Sequence, residues 1–161
     1  MINKLNDDIE KWILDFLSVP HPVFGNLPPC PYAKRAWLDG KVEIREVTGG
    51  HVYVDLQVAV MGLLHNFPKD KDLVMFLLDP NSISCEKLTN IAITDSNKEF
   101  ALLDDHPEQV EKVGDVVLNN GKYAILFVQR RNELLKARED LKNTGYYDNF
   151  NEDYREDVLS R

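Results

Sequence analysis

The chain has no apolar run longer than about seven residues. A membrane-spanning helix needs about 20, so none is expected. Cysteine is nearly absent: Cys30 and Cys85 are the only two, far apart in the sequence. They make neither a disulfide framework nor a Cys-x-x-Cys metal pair. Basic charge is also scarce. Lys and Arg number 19 against 27 Asp and Glu, a net charge of −8. This argues against a general nucleic-acid binder, which holds phosphates on a basic face, and against an anionic membrane surface. The opening residues, Met1-Ile2-Asn3-Lys4-Leu5-Asn6-Asp7-Asp8, carry acids where a secretory signal has a basic end and then an apolar stretch. No Gly-x-Gly-x-x-Gly, Walker loop, His-Glu-x-x-His or Gly-x-Ser-x-Gly occurs, and no internal repeat. These absences point to a soluble, cytoplasmic protein in a reducing compartment.

What is present suits one folded domain. The chain is 161 residues long and 43% hydrophobic, enough to fill a core. Ile2, Leu5, Ile9, Trp12, Ile13, Phe16 and Leu17 recur at helical spacing, which predicts an amphipathic helix over 2–18 that Pro20 stops. Residues 20–31 hold five of the eight prolines and form a stiff loop. A short helix is expected from Tyr32 to Leu38 and a strand from Lys41 to Val47. Val52, Val54, Leu56, Val58 and Val60 alternate like a strand, but the run continues through Met61, Leu63 and Leu64. Val54, Val58, Met61 and Leu64 also fit one helix face, and a helix over 53–66 is preferred.

Leu73–Leu78 and Tyr123–Val128 are solid apolar runs, the mark of strands buried on both faces. Between them the pattern predicts a helix capped by Ser82 or Ser84, a strand over Glu99–Leu103 and a short helix within 108–117. A charged helix follows from Arg130 to Asn143, with Gly145 as its C′ residue. Strands alternating with helices give a layered α/β domain of about four to five strands over residues 1–145. An acidic, aromatic tail, 146–161, carries Tyr146, Tyr147, Phe150 and Tyr154.

The strongest chemical signal is Leu27-Pro28-Pro29-Cys30-Pro31-Tyr32-Ala33-Lys34-Arg35. Proline favours the first position of a helix, which places Cys30 near a helix N-terminus, where free N–H groups favour a thiolate. Lys34 and Arg35, one turn on, add positive charge. Cys30 is therefore the candidate nucleophile, with Lys34 and Arg35 as electrostatic support and His21 or His106 as candidate bases.

Cys30-Pro31-Tyr32 before a short helix resembles the active-site turn of glutaredoxins and of cysteine-type glutathione transferases. That likeness implies thiol redox or glutathione chemistry at Cys30. A second likeness spans most of the chain. The helix at 2–18, Cys30-Pro31-Tyr32-Ala33 and His106-Pro107 after a strand resemble an uncharacterised bacterial family with an Asn-Leu-Cys-Pro-Phe-Ala motif, and it implies no activity.

Asp79 ends one predicted strand, and Asp104, Asp105 and His106 end another. Ligands bind beyond the carboxyl ends of parallel strands in α/β sheets, so the three acids are a candidate site for Mg²⁺ or another hard cation. The same residues also read as turn signals. No cofactor is indicated. Two classes of function follow. One is a thiol-dependent enzyme or redox protein using Cys30 on a small molecule. The other is a non-catalytic adaptor that meets a protein partner through the proline loop or the tail.

Overall fold

The structure is a computed structural model that describes residues 2–161. In chain order its main elements are α1 (Ile2–Trp12), α2 (Ala33–Leu38), β1 (Val42–Glu46), α3 (Val52–His65), β2 (Leu73–Leu78), α4 (Cys85–Asp95), β3 (Phe100–Asp105), β4 (Lys112–Val113), β5 (Val116–Val117), β6 (Ala124–Arg130), α5 (Arg131–Lys142) and α6 (Glu152–Ser160). The two solid apolar runs, β2 and β6, form the centre of a four-stranded sheet ordered β1-β2-β6-β3. β1 and β2 are parallel, and β6 is antiparallel to both of its neighbours. β1, β2 and β3 therefore run one way, with β6 inserted between the last two.

Strand alternation divides the core into two layers. Val74, Phe76, Leu78, Leu126 and Val128 point to one face, where Leu56, Val60 and Leu63 of α3 and Leu88 and Ile91 of α4 cover them. The β1-to-β2 and β2-to-β3 connections step across the sheet in the same direction. Right-handed crossovers then put both helices on that face. Met75, Leu77 and Ile125 point the other way, under Leu5, Ile9 and Ile13 of the N-terminal helix. That helix closes with a π-helical stretch, Ile13–Leu17. Asp8 ties it to the residues just before β6 through Lys122 and the Tyr123 hydroxyl, and Glu10 accepts a 3.1 Å bond from Trp37 Nε1.

A third cluster joins distant segments. Phe24 of the proline-rich loop, Val113 of β4, Leu141 of α5, and Tyr147 and Phe150 are all buried together. The segment after α5 is thus laid on the body of the protein and ends in a helix. Phe24, Tyr146, Tyr147, Phe150 and Tyr154 form a chain of ring contacts with centroids 4.8–6.1 Å apart.

Two local expectations are corrected. Within 108–117 the chain forms the β4–β5 hairpin, turning at Gly114-Asp115, because Val113 is drawn into the aromatic cluster. Gly145 does not take the left-handed conformation of a helix C′ residue. It is needed for closeness instead: Gly25 and Gly145 meet backbone to backbone, and a Cβ on Gly25 would lie 2.6 Å from the Gly145 carbonyl carbon.

Candidate functional site

The loop before Cys30 is held by its own main chain. His21 and Leu27 form an antiparallel bridge around a 3₁₀ turn, Pro22–Phe24. His21 Nδ1 accepts from Val23 N–H at 3.1 Å and caps that turn. Nδ1 is thus engaged in the turn, and among the described residues no hydrogen bond joins the His21 ring to Cys30. Cys30 N–H donates to the Leu17 carbonyl at 2.9 Å, which fixes the loop to the end of the first helix.

Cys30 is half-buried. Burial pushes its thiol above the ordinary value, and opposing hydrogen bonds from the main chain of Tyr32 and Ala33 do not overcome it. The expected acidic thiol is thereby corrected. α2 starts at Ala33 and has six residues, too short to build much of a dipole. Lys34 and Arg35 point into solvent, and Arg35 pairs with Asp39 at 3.4 Å. Tyr146 donates its hydroxyl to the carbonyl of Pro29, the residue before Cys30, and burial pushes that phenol up as well. Among the described residues the thiol has no base bonded to it. Cys30 precedes β1, the first strand of the sheet.

The ends of β2 and β3 do come together, through His106. Its ring is 1% exposed. Nε2 lies 3.2 Å from the Pro80 carbonyl and 3.0 Å from the Ile83 carbonyl, and Nδ1 accepts from Glu108 N–H at 3.2 Å. This arrangement requires the Nε2–H tautomer and leaves no nitrogen free for a substrate. His106, expected as a catalytic partner of Cys30, is a clasp between the β2–α4 loop and the end of β3.

The acids do not converge. Asp104 and Asp105 are successive strand residues and point to opposite faces. Asp104 accepts from Thr89 Oγ1 of α4 at 2.7 Å. Asp105 accepts from Asn119 Nδ2 at 2.6 Å and from Asn120 N–H at 2.9 Å. Asp79 closes its own turn on Asn81 at 2.8 Å. No group of three metal-capable side chains occurs among the described residues. The expected cation site at Asp79, Asp104 and Asp105 is corrected to three separate turn and strand-end contacts. Burial raises the Asp105 carboxyl above its ordinary value, against the two hydrogen bonds it accepts.

Several residues passed over by sequence reasoning matter here. Asn119 holds the β3–β4 connection, donating to Asp105 and to the Gln109 carbonyl (3.0 Å) and accepting from Glu111 N–H (2.6 Å). Trp12 Nε1 and Ser18 Oγ are buried without partners on either side of the π-helical stretch.

An open depression of about 460 Å³ lies along α4 beside Cys85, Thr89, Ile93 and Gln109. A second, of about 250 Å³, lies between Tyr53 of α3 and Lys87 and Asn90 of α4. α3 itself is unusual. Val52, Leu56, Val60 and Leu63 are buried, while Val54, Val58 and Met61 on the other side are 54, 64 and 67% exposed. Its only acid or base of full charge is Asp55. Comparison with protein-family models, with curated proteins and with solved structures returned no match.

Proposed function

We propose that this protein is a non-catalytic binding module whose contact surface is the outer face of α3. The observation that carries this reading is the row of Val54, Val58 and Met61. Scattered exposed aliphatics are ordinary. Three aligned at i, i+4 and i+7, on a helix with one acid and no Lys or Arg, form a surface that gains free energy when covered. The proline loop and the 146–161 segment, offered by the sequence as contact surfaces, already cover each other through Phe24, Tyr146 and Phe150. A thiol that burial pushes above its ordinary value, with no base bonded to it among the described residues, favours binding over catalysis. Two unpaired cysteines suit a reducing, cytoplasmic setting, and no helix among the described residues is long and apolar enough to cross a membrane.

The test is photo-crosslinking in the producing cell with a photoreactive residue at position 58 and, as control, at exposed position 34. A covalent adduct of discrete mass from position 58 and none from position 34 is expected. Failure of positions 54, 58 and 61 alike to yield an adduct refutes the reading.

A further inference from the structure

We infer that the partner of the α3 face is a second copy of this chain, docked with the two α3 helices antiparallel. The inference rests on the binding-module reading and names its occupant. The six exposed positions of α3 towards solvent are Val54, Asp55, Val58, Met61, Gly62 and His65. They follow the spacing of one face of a helix that meets another helix. This face carries an acid, Asp55, in its first turn and an imidazole, His65, in its last. Neither side chain has a hydrogen bond or an ion pair among the described residues.

A helix with an acceptor at one end and an imidazole at the other is complementary to itself when reversed. A two-fold axis beside Val60 sets Asp55 across from His65 of the second copy, and repeats that pair at the other end. The same axis sets Val58 across from Gly62 of the second copy. Gly62 has no reason to be glycine within its own chain, because a Cβ there would meet nothing within 4 Å. Glycine weakens a helix interior. In the pair it becomes the notch that lets Val58 approach the facing backbone.

The exposed row is far smaller than the roughly 800 Å² per partner of a standard interface, so the helix pair stands at the weak end of association. A dissociation constant on the order of tens of micromolar is expected.

Sedimentation velocity of the full chain, from about 1 to about 200 µM, tests this range. A reversible monomer–dimer equilibrium is expected. Val58→Glu should leave only monomer, with the thermal melt unchanged because residue 58 is exposed. Gly62→Leu should fill the notch and also give monomer, while a better helix former protects the fold. Asp55→Arg should weaken the dimer at least several-fold, and Asp55→Arg with His65→Glu should restore it. A wild-type protein that stays monomeric throughout overturns self-pairing. So does a Val58→Glu variant that dimerises like the wild type, or a double variant as weak as the single one. A crosslink from position 58 to a different protein, with a monomeric chain, preserves the binding module and overturns only its second copy.

Discussion

The contact between Gly25 and Gly145 can be tested against an internal control. Gly25 has φ +65° and closes the 3₁₀ turn at Pro22–Phe24. Gly40, after α2, has the same φ of +65° and nothing within 4 Å of the place a Cβ would occupy. Alanine at either position meets the same left-handed penalty, about 1–2 kcal/mol. A stiffer unfolded chain offsets about 0.4–1 kcal/mol of it. Gly40→Ala should therefore cost about 1.5 kcal/mol or less.

Gly25→Ala meets something more. Its Cβ would lie 2.6, 2.7 and 2.8 Å from the carbonyl carbon, oxygen and Cα of Gly145. These are backbone atoms that no rotamer change can move aside, so the loop and the following segment must separate. Separation loosens the Phe24–Tyr146 and Phe24–Phe150 pairs, with centroids 5.4 and 6.1 Å apart. Such pairs are worth about 0.5–1.5 kcal/mol each beyond the area they bury. The total for Gly25→Ala is then about 2–4 kcal/mol. At about 2–4 °C per kcal/mol for a chain of this size, Tm should fall by roughly 5–15 °C, against a few degrees at most for Gly40→Ala. Thermal melts followed by circular dichroism measure the difference, and near-ultraviolet ellipticity reports the aromatic cluster. Equal melting temperatures for the two variants would refute the argument that backbone closeness, rather than φ, makes Gly25 necessary.

Burial holds the Cys30 thiol up, so it should alkylate at pH 7 more slowly than an ordinary cysteine, and Tyr146→Ala should speed it several-fold by opening the cover. Mass-spectrometric labelling rates check this; a Cys30 faster than Cys85 in the wild type would restore the nucleophile. Asp105 titrates above the ordinary carboxyl value of 3.8 because it is buried. Its contribution to stability is present in full below that ordinary value and is lost as pH rises through the raised folded value. Relative to Asp105→Asn, the wild type should therefore lose stability as pH rises above the ordinary carboxyl value in urea titrations; parallel curves would disprove the raised value.

Much of the fold is legible in the residues because the pattern and the environment agree. The seven apolar positions of the first helix lie on one stripe, and Pro20 bars its continuation. Leu73–Leu78 and Tyr123–Val128 are too short for membrane spans and too uniformly apolar for surface strands, so they belong in the middle of a sheet. α3 is harder to read for a physical reason. Its buried stripe, Val52-Leu56-Val60-Leu63, and its exposed row, Val54-Val58-Met61, lie on opposite sides of the helix. Two apolar faces interleaved at helical spacing imitate the alternation of a strand. The ambiguity is itself the trace of the second face.

Local composition determined the four strands of the main sheet, most of the helices, the stiff loop and the absence of nucleotide-loop motifs, since each depends on neighbours along the chain. The fate of the candidate site depended on neighbours in space. Cys30 follows a helix-start pattern, but the sign of its perturbation came from burial near Tyr146, 116 positions later, and not from Lys34 or Arg35. Asp104 and Asp105 are adjacent in the chain and parted by the pleat, one bonded to α4 and the other to Asn119. His106 reads as a catalytic residue until the carbonyls of Pro80 and Ile83 take its ring. Residues 112–117 became a hairpin because Val113 fits beside Phe24 and Phe150. A sequence states which groups a chain carries; desolvation and hydrogen-bond partners, which set what those groups can do, are properties of the folded packing alone.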